Sequence, residues 1–131
     1  MKVKDFMTDY IIKCNVNDEV DIIAKVMNIN DIGFVAIEKN RKIIGVITDR
    51  DLVVGPVASN SSSINDFISE DIISIDLDSD IEDAFYLMKK YKVKRLLVTK
   101  KGKYVGVISI SDLLGTDYED TFFKTLKEIK E

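Results

Sequence analysis

The sequence predicts a mixed α/β fold: two βαββα repeats packed about a pseudo-twofold axis, followed by a C-terminal helix. Three observations predict it. The chain repeats itself, because Gly45-Val46-Ile47-Thr48-Asp49-Arg50-Asp51-Leu52 returns as Gly106-Val107-Ile108-Ser109-Ile110-Ser111-Asp112-Leu113, an offset of 61 between positions 45 and 106. The same offset, without a gap, carries Asp5-Phe6 onto Asp66-Phe67, Ile11-Ile12 onto Ile72-Ile73 and Met27 onto Met88. Within each copy, apolar residues recur first at helical spacing and then in two short runs joined by a polar turn. A supersecondary unit of this length cannot bury its apolar face alone, so two copies pack together and leave two related clefts.

In the first copy, assigned to residues 1–58, Ile11-Ile12 begins a short extended stretch that ends in the turn Asn15-Val16-Asn17. Asp18 is placed to cap a helix whose apolar face is Val20, Ile23, Ala24 and Met27. Phe34-Val35-Ala36-Ile37 and Ile43-Ile44-Gly45-Val46-Ile47 then read as a hairpin about Glu38-Lys39-Asn40-Arg41. Both runs are almost continuously apolar, so helices should cover at least one face of their sheet. Gly55-Pro56 should end a short second helix, and the polar run 59–63 reads as a linker.

The second copy, 64–116, repeats the plan. Ser79-Asp80-Ile81-Glu82 has the spacing of a capping box, with Ile81, Ala84, Phe85 and Met88 on one helical face. Lys90, Tyr91 and Lys92 close that helix with the charge its C-terminus favours. Leu96-Leu97-Val98 and Tyr104-Val105-Gly106-Val107-Ile108 flank a turn at Lys101-Gly102. In the tail, 117–131, Asp117 could cap a helix with a Tyr118, Phe122, Leu126 and Ile129 stripe and Phe123 beside it. Such a stripe packs on its own module or shares in a dimer contact.

Composition narrows the function. The chain has 131 residues, 46% hydrophobic and 32% charged, as in a globular protein. No apolar run approaches the roughly 18 residues of a membrane span, and the start carries no secretory h-region. The single cysteine, Cys14, reads as a small core hydrophobe and fits a reducing cytoplasm. A net charge of −4 argues against a general nucleic-acid binder. Histidine is absent, which removes the commonest general base and metal ligand and disfavours catalysis. No metal site is expected.

The remaining chemistry lies in Thr48-x-x-Asp51 and Ser109-x-x-Asp112, each after an apolar strand and opening a helix. One reading is purely structural: a hydroxyl followed three residues later by a carboxylate is a capping box. The other is a ligand site. A strand-to-helix turn presents free amides and a positive dipole end suited to phosphate. An aspartate offers two acceptor oxygens to the adjacent hydroxyls of a ribose.

The pattern Gly-apolar-apolar-Thr/Ser-x-x-Asp-Leu, preceded by Asp5-Phe6-Met7-Thr8 and a Met-containing helix, resembles the cystathionine β-synthase (CBS) domain, and two copies resemble the CBS pair or Bateman module. The resemblance runs from about Val3 to Leu114. It implies adenine-containing ligands in the clefts between repeats. Asp51 and Asp112 would then hold ribose beside Thr48 and Ser109, and Ile11, Ile12, Ile72 and Ile73 would line the adenine pockets. Lys94 and Arg95 would reach a nucleotide's phosphates across the cleft; their other reading is a solvated strand start. The equivalent first-copy positions are Gly33 and Phe34, and Arg50 is answered by Ser111, so only the cleft at Thr48 and Asp51 gains a phosphate partner. Phe34 and Arg50 complete the candidate ligand-binding set. The family's frequent proline before the apolar strand is missing, with Ala36 and Leu97 there instead.

These readings predict a non-enzymatic cytoplasmic sensor. AMP, ADP, ATP or S-adenosylmethionine would be its regulatory ligand, with no required cofactor. It would form a homodimer and act on a separate effector protein. The alternative is a ligand-free dimerisation module, in which the capping boxes are only caps.

Overall fold

The computed structural model describes residues 1–130. The chain divides into two units, and the division does not follow the sequence repeats. One unit is Ile12–Ile72; the other joins Met1–Ile11 to the chain from Ile73 onward. Each copy's opening segment thus packs with the body of the other copy.

The first-copy unit runs β1 (Lys13–Asn15), α1 (Val20–Asn30), β2 (Phe34–Lys39), β3 (Lys42–Thr48) and α2 (Asp49–Leu52). Its sheet has the order β1-β2-β3, with β1 parallel and β3 antiparallel to the central β2. The β2–β3 loop is two residues, Asn40 and Arg41, both at positive φ, the mirror-image turn that matches strand twist. Ile23, Met27, Val35, Ile37, Ile47 and Leu52 form the core. Ile64, from the stretch that opens the second copy, is fully buried among them, with Phe67 and Ile68 packed alongside.

The second-copy unit runs β4 (Ser74–Asp76), α3 (Ile81–Tyr91), β5 (Arg95–Lys100), β6 (Lys103–Ser109), a 3₁₀ turn at Ile110–Leu113 and α4 (Glu119–Lys130). The sheet order β4-β5-β6 repeats the first, and the ladder irregularity at Ile37/Glu38 recurs at Val98/Thr99. Val3, the counterpart of Ile64, is fully buried in this core, beside Phe6 and Met7. Phe122 is buried in it too, and Tyr118, Leu126 and Ile129 pack against it. The C-terminal stripe therefore covers its own unit. Phe123, beside the stripe, is exposed.

The exchanged segments explain where the helix caps lie. The first amide of α1, on Val20, donates to the Ser62 carbonyl at 2.9 Å; that of α3, on Ile81, donates to the Met1 carbonyl at 3.1 Å. With that donor satisfied by backbone, Asp18 is not the cap. Glu19 is, without a side-chain bond, and Asp18 accepts from the Asn15 amide at 2.8 Å instead. Nor does Ser79–Glu82 form a capping box: Asp80 takes the cap position, and Glu82 accepts from the Tyr118 hydroxyl at 2.7 Å. Asp117 likewise lies outside α4, which begins at Glu119 after a Tyr118 amide that donates to Thr116 Oγ1 at 3.4 Å.

Two further expectations are corrected. Ala24 is exposed rather than on the buried face of α1. Gly55-Pro56 does not end the second helix; α2 widens into a π turn over Val53–Val57 with Pro56 inside it. Widening lets the ladder pass a residue that has no amide to donate, and the Ala58 amide reaches back to the Val53 carbonyl.

Candidate functional site

Each central hairpin delivers its motif to the equivalent place in its own unit. β3 pairs with β2 until Thr48 stands opposite Phe34, and β6 pairs with β5 until Ser109 stands opposite Arg95. One residue later the chain adds one more bond across the hairpin: Asp49 N–H donates to the Gly33 carbonyl at 2.9 Å, and Ile110 N–H to the Lys94 carbonyl at 2.7 Å. The chain then turns into α2 or into the 3₁₀ turn.

Both motifs are complete, reciprocal capping boxes. Thr48 N–H donates to Asp51 Oδ2 at 2.9 Å while Asp51 N–H donates to Thr48 Oγ1 at 3.2 Å. The corresponding distances at Ser109 and Asp112 are 2.8 and 3.3 Å. All four residues are half-buried. The box engages Oδ2 of each carboxylate, and a carboxylate has two oxygens with about four acceptor positions between them. Capping therefore does not exhaust it. The turns differ beside the box: Arg50 is exposed, whereas the Ser111 hydroxyl lies 2.9 Å from that of Ser109.

The other candidates divide between the units. Ile12, Phe34, Thr48, Arg50, Asp51 and Ile72 belong to the first-copy unit; Ile11, Ile73, Lys94, Arg95, Ser109 and Asp112 to the second. Ile12 and Ile73 do the same work in each, their carbonyls accepting from Ala36 and Leu97 at 3.1 Å and their side chains packing on the core. Ile11 and Ile72 are half-buried at the points where the chain passes from one unit to the other. Lys94 is exposed and Arg95 half-buried, so the unit that holds this cationic pair also holds Ser109 and Asp112.

The glycine that opens each motif has a role that the sequence reading did not give it. A Cβ on Gly106 would lie 2.1 Å from the Thr8 carbonyl oxygen, and one on Gly45 would lie 2.6 Å from that of Ser69. The exchanged segment crosses the strand there, pairing Thr8 with Val107 and Ser69 with Val46 in two backbone bonds each. The repeated glycine is thus a mark of segment exchange, and its recurrence at the 61-residue offset was the available signal. Also unforeseen is a recess of about 300 Å³ between the 3₁₀ turn and α4, whose lining includes Leu113, Leu114, Phe122 and Phe123. Cys14 is buried, and burial first, then nearby Asp18, raises its thiol pKa away from reactivity.

The CBS domain model matches residues 3–55 and again residues 64–119. The chain belongs to the CBS domain family. The CBS repeats align with the sequence duplication, not with the compact units. An uncharacterized protein, YlbB of Bacillus subtilis, is 32% identical over 117 residues, covering 86% of this chain and 79% of its own length. A conserved CBS domain protein of unknown function from Thermoplasma acidophilum superposes with a TM-score of 0.88 at 19% identity, over 99% of this chain and 76% of its own. The CBS domain pair of protein MJ0100, solved in complex with 5'-methylthioadenosine and S-adenosyl-L-methionine, gives a TM-score of 0.78 at 23% identity, over 86% of this chain and 96% of its own. Among the described residues no helix is long and apolar enough to cross a membrane.

Proposed function

We propose that this CBS pair is a regulatory sensor that binds an adenosyl ligand at its two strand-to-helix turns and passes the bound state to a separate protein. The observation that carries the reading is the half-buried hydroxyl–carboxylate pair at the same turn of both units. Asp51 and Asp112 accept from the vicinal hydroxyls of a ribose, and Thr48 and Ser109 contact ribose or the first phosphate. Ile11, Ile12, Ile72 and Ile73 supply apolar surface for adenine, with Phe34 and Arg50 completing the set. Lys94 and Arg95 supply the cations for phosphate. The adenosyl ligands in the MJ0100 complex support this ligand class. AMP, ADP, ATP and S-adenosylmethionine all fit it. The protein acts as a cytoplasmic homodimer and is not an enzyme, a reading supported by the absence of histidine from the sequence.

A ligand at about a hundred times its dissociation constant should stabilise the fold by roughly 2.7 kcal/mol, read as a rise in melting temperature. Asp51→Ala should weaken binding about tenfold or more, through loss of charge-assisted hydrogen bonds. Arg95→Ala should weaken nucleotide binding and spare adenosine, since only the nucleotide carries phosphate. Calorimetry of both ligands on folded wild type and variants checks each step. A second reading is favoured by the completeness of the capping boxes: a ligand-free association module. Absence of any thermal shift with millimolar adenosyl ligands would select it.

A further inference from the structure

The end of α3 carries charge that the fold does not require. Lys89 and Lys90 lie in its last turn and Lys92 is the left-handed residue that terminates it, at φ 54°. Cations at a helix C-terminus complement the dipole, which would be reason enough for them. The first-copy unit removes that explanation. There α1 ends in the same geometry, with Asp31 at φ 51°, and Asn28, Ile29 and Asp31 stand where Lys89, Lys90 and Lys92 stand in α3. No basic residue lies in that last turn.

The lysines form one exposed surface with two tyrosines. Tyr86 and Tyr91 are 61% and 46% exposed, and the Lys90 ammonium lies over both rings, 5.9 and 5.3 Å from their centroids. Lys89 and Lys92 are exposed, and among the described residues none of the three lysines pairs with a carboxylate. We infer that this surface of the second-copy unit, Tyr86, Lys89, Lys90, Tyr91 and Lys92, docks a short acidic segment of a partner protein. The inference rests on the reading above only in that the output passes to a separate protein; it names that partner's chemistry.

An acidic peptide fits better than the other polyanions. The three cations fall within about one helical turn, roughly 5 Å of axis, enough for two or three carboxylates. A single nucleic-acid strand needs a groove that tracks several nucleotides and open aromatic faces on which bases stack. Here Lys90 lies over both rings. An anionic bilayer is recognised by clusters of about four to eight basic residues, and this surface has three lysines.

The test uses the full chain and fluorescein-labelled deca-glutamate, a twelve-nucleotide oligothymidylate and phosphatidylserine vesicles as probes, at low and physiological ionic strength. Deca-glutamate should bind most tightly. Lys89→Gln, Lys90→Gln and Lys92→Gln together should weaken it about tenfold, the sum of three exposed ion pairs. Neutralising Lys100, Lys101 and Lys103 in the β5–β6 turn should change it by no more than about twofold. Tighter binding of oligothymidylate or vesicles, an equal loss in the β5–β6 variant, or no binding of deca-glutamate would each overturn the inference. The nucleotide-induced thermal shift of the triple variant should match wild type, so failure here is distinguishable from failure of the sensor reading.

Discussion

Two ends of equivalent helices, one reading Asn28-Ile29-Asn30-Asp31 and the other Lys89-Lys90-Tyr91-Lys92, adopt the same backbone and differ in every side chain. Elsewhere the units agree closely. β2 and β5 share one burial pattern, Ile64 and Val3 enter the cores at equivalent positions, and carbonyls at equivalent positions, Ser62 and Met1, serve the first amides of α1 and α3. A duplicated chain thus carries its own control. Where both units carry an equivalent element, what that element needs is present in both, and a side chain found in one alone is free to serve function. By that criterion the glycines and hydroxyl–carboxylate boxes have at least a structural role, and the lysines of α3 do not.

The largest effect should come from the glycines where the exchanged segments cross. Gly106→Ala places a methyl group 2.1 Å from the Thr8 carbonyl oxygen, which accepts from the Val107 amide in a residue whose own amide donates to Val107 in turn. Overpacking of this kind costs about 3 kcal/mol. Gly45→Ala should cost less, because its nearest obstacle is the Ile68 Cγ2 methyl at 2.4 Å and the Ser69 oxygen stands at 2.6 Å. Urea midpoints of the two variants measure the difference. A loss under about 0.5 kcal/mol for Gly106→Ala, the level of ordinary surface changes, would break the claim that segment exchange fixes this glycine.

The duplication explains which features were legible before the structure. Helices, hairpins and the Thr48–Asp51 box involve residues within a few positions of one another, so pattern and spacing reveal them. The cap of α1 comes from Ser62 and that of α3 from Met1, segments remote in sequence. Asp18 and Ser79 had the right chemistry at the right spacing, but a backbone carbonyl already served the amide. Pro56 misled for a related reason: the rule that proline ends a helix assumes a ladder of fixed pitch, and the π turn changes the pitch. For the site, sequence identified the motif, and the structure added its bond geometry and the register of Arg95 with Ser109.

A smaller effect separates capping from ligand contact. Thr48→Ala and Ser109→Ala each remove the oxygen that accepts from an aspartate amide, and each should cost about 1 kcal/mol of stability. Thr48→Ser keeps that acceptor and should retain most of it. If the two units are equivalent at this position, the two alanine losses will agree when measured by denaturation without ligand. A loss at one box only would mean that the shared geometry hides unequal strain, and would weaken the use of one copy as a control for the other.

The smallest effect concerns the hairpin turns, where the copies solve one problem with different residues. Both two-residue loops need positive φ twice; the second copy uses Lys101 at 51° and Gly102 at 77°, the first Asn40 at 52° and Arg41 at 66°. Asparagine tolerates the left-handed region through its short polar side chain, whereas arginine meets its own carbonyl there, at a cost of roughly 1–2 kcal/mol. Glycine escapes that clash but gives up more chain entropy on folding. Arg41→Gly should therefore stabilise the fold by only about 0.5–1 kcal/mol, the balance of the two terms. Gly102 faces open space, so Gly102→Ala should destabilise by a similar amount through backbone strain alone. Paired denaturation curves read both, and opposite signs are required: if Arg41→Gly destabilised the protein, the arginine would be holding the first hairpin through its side chain, and the turn would join the features in which the copies differ.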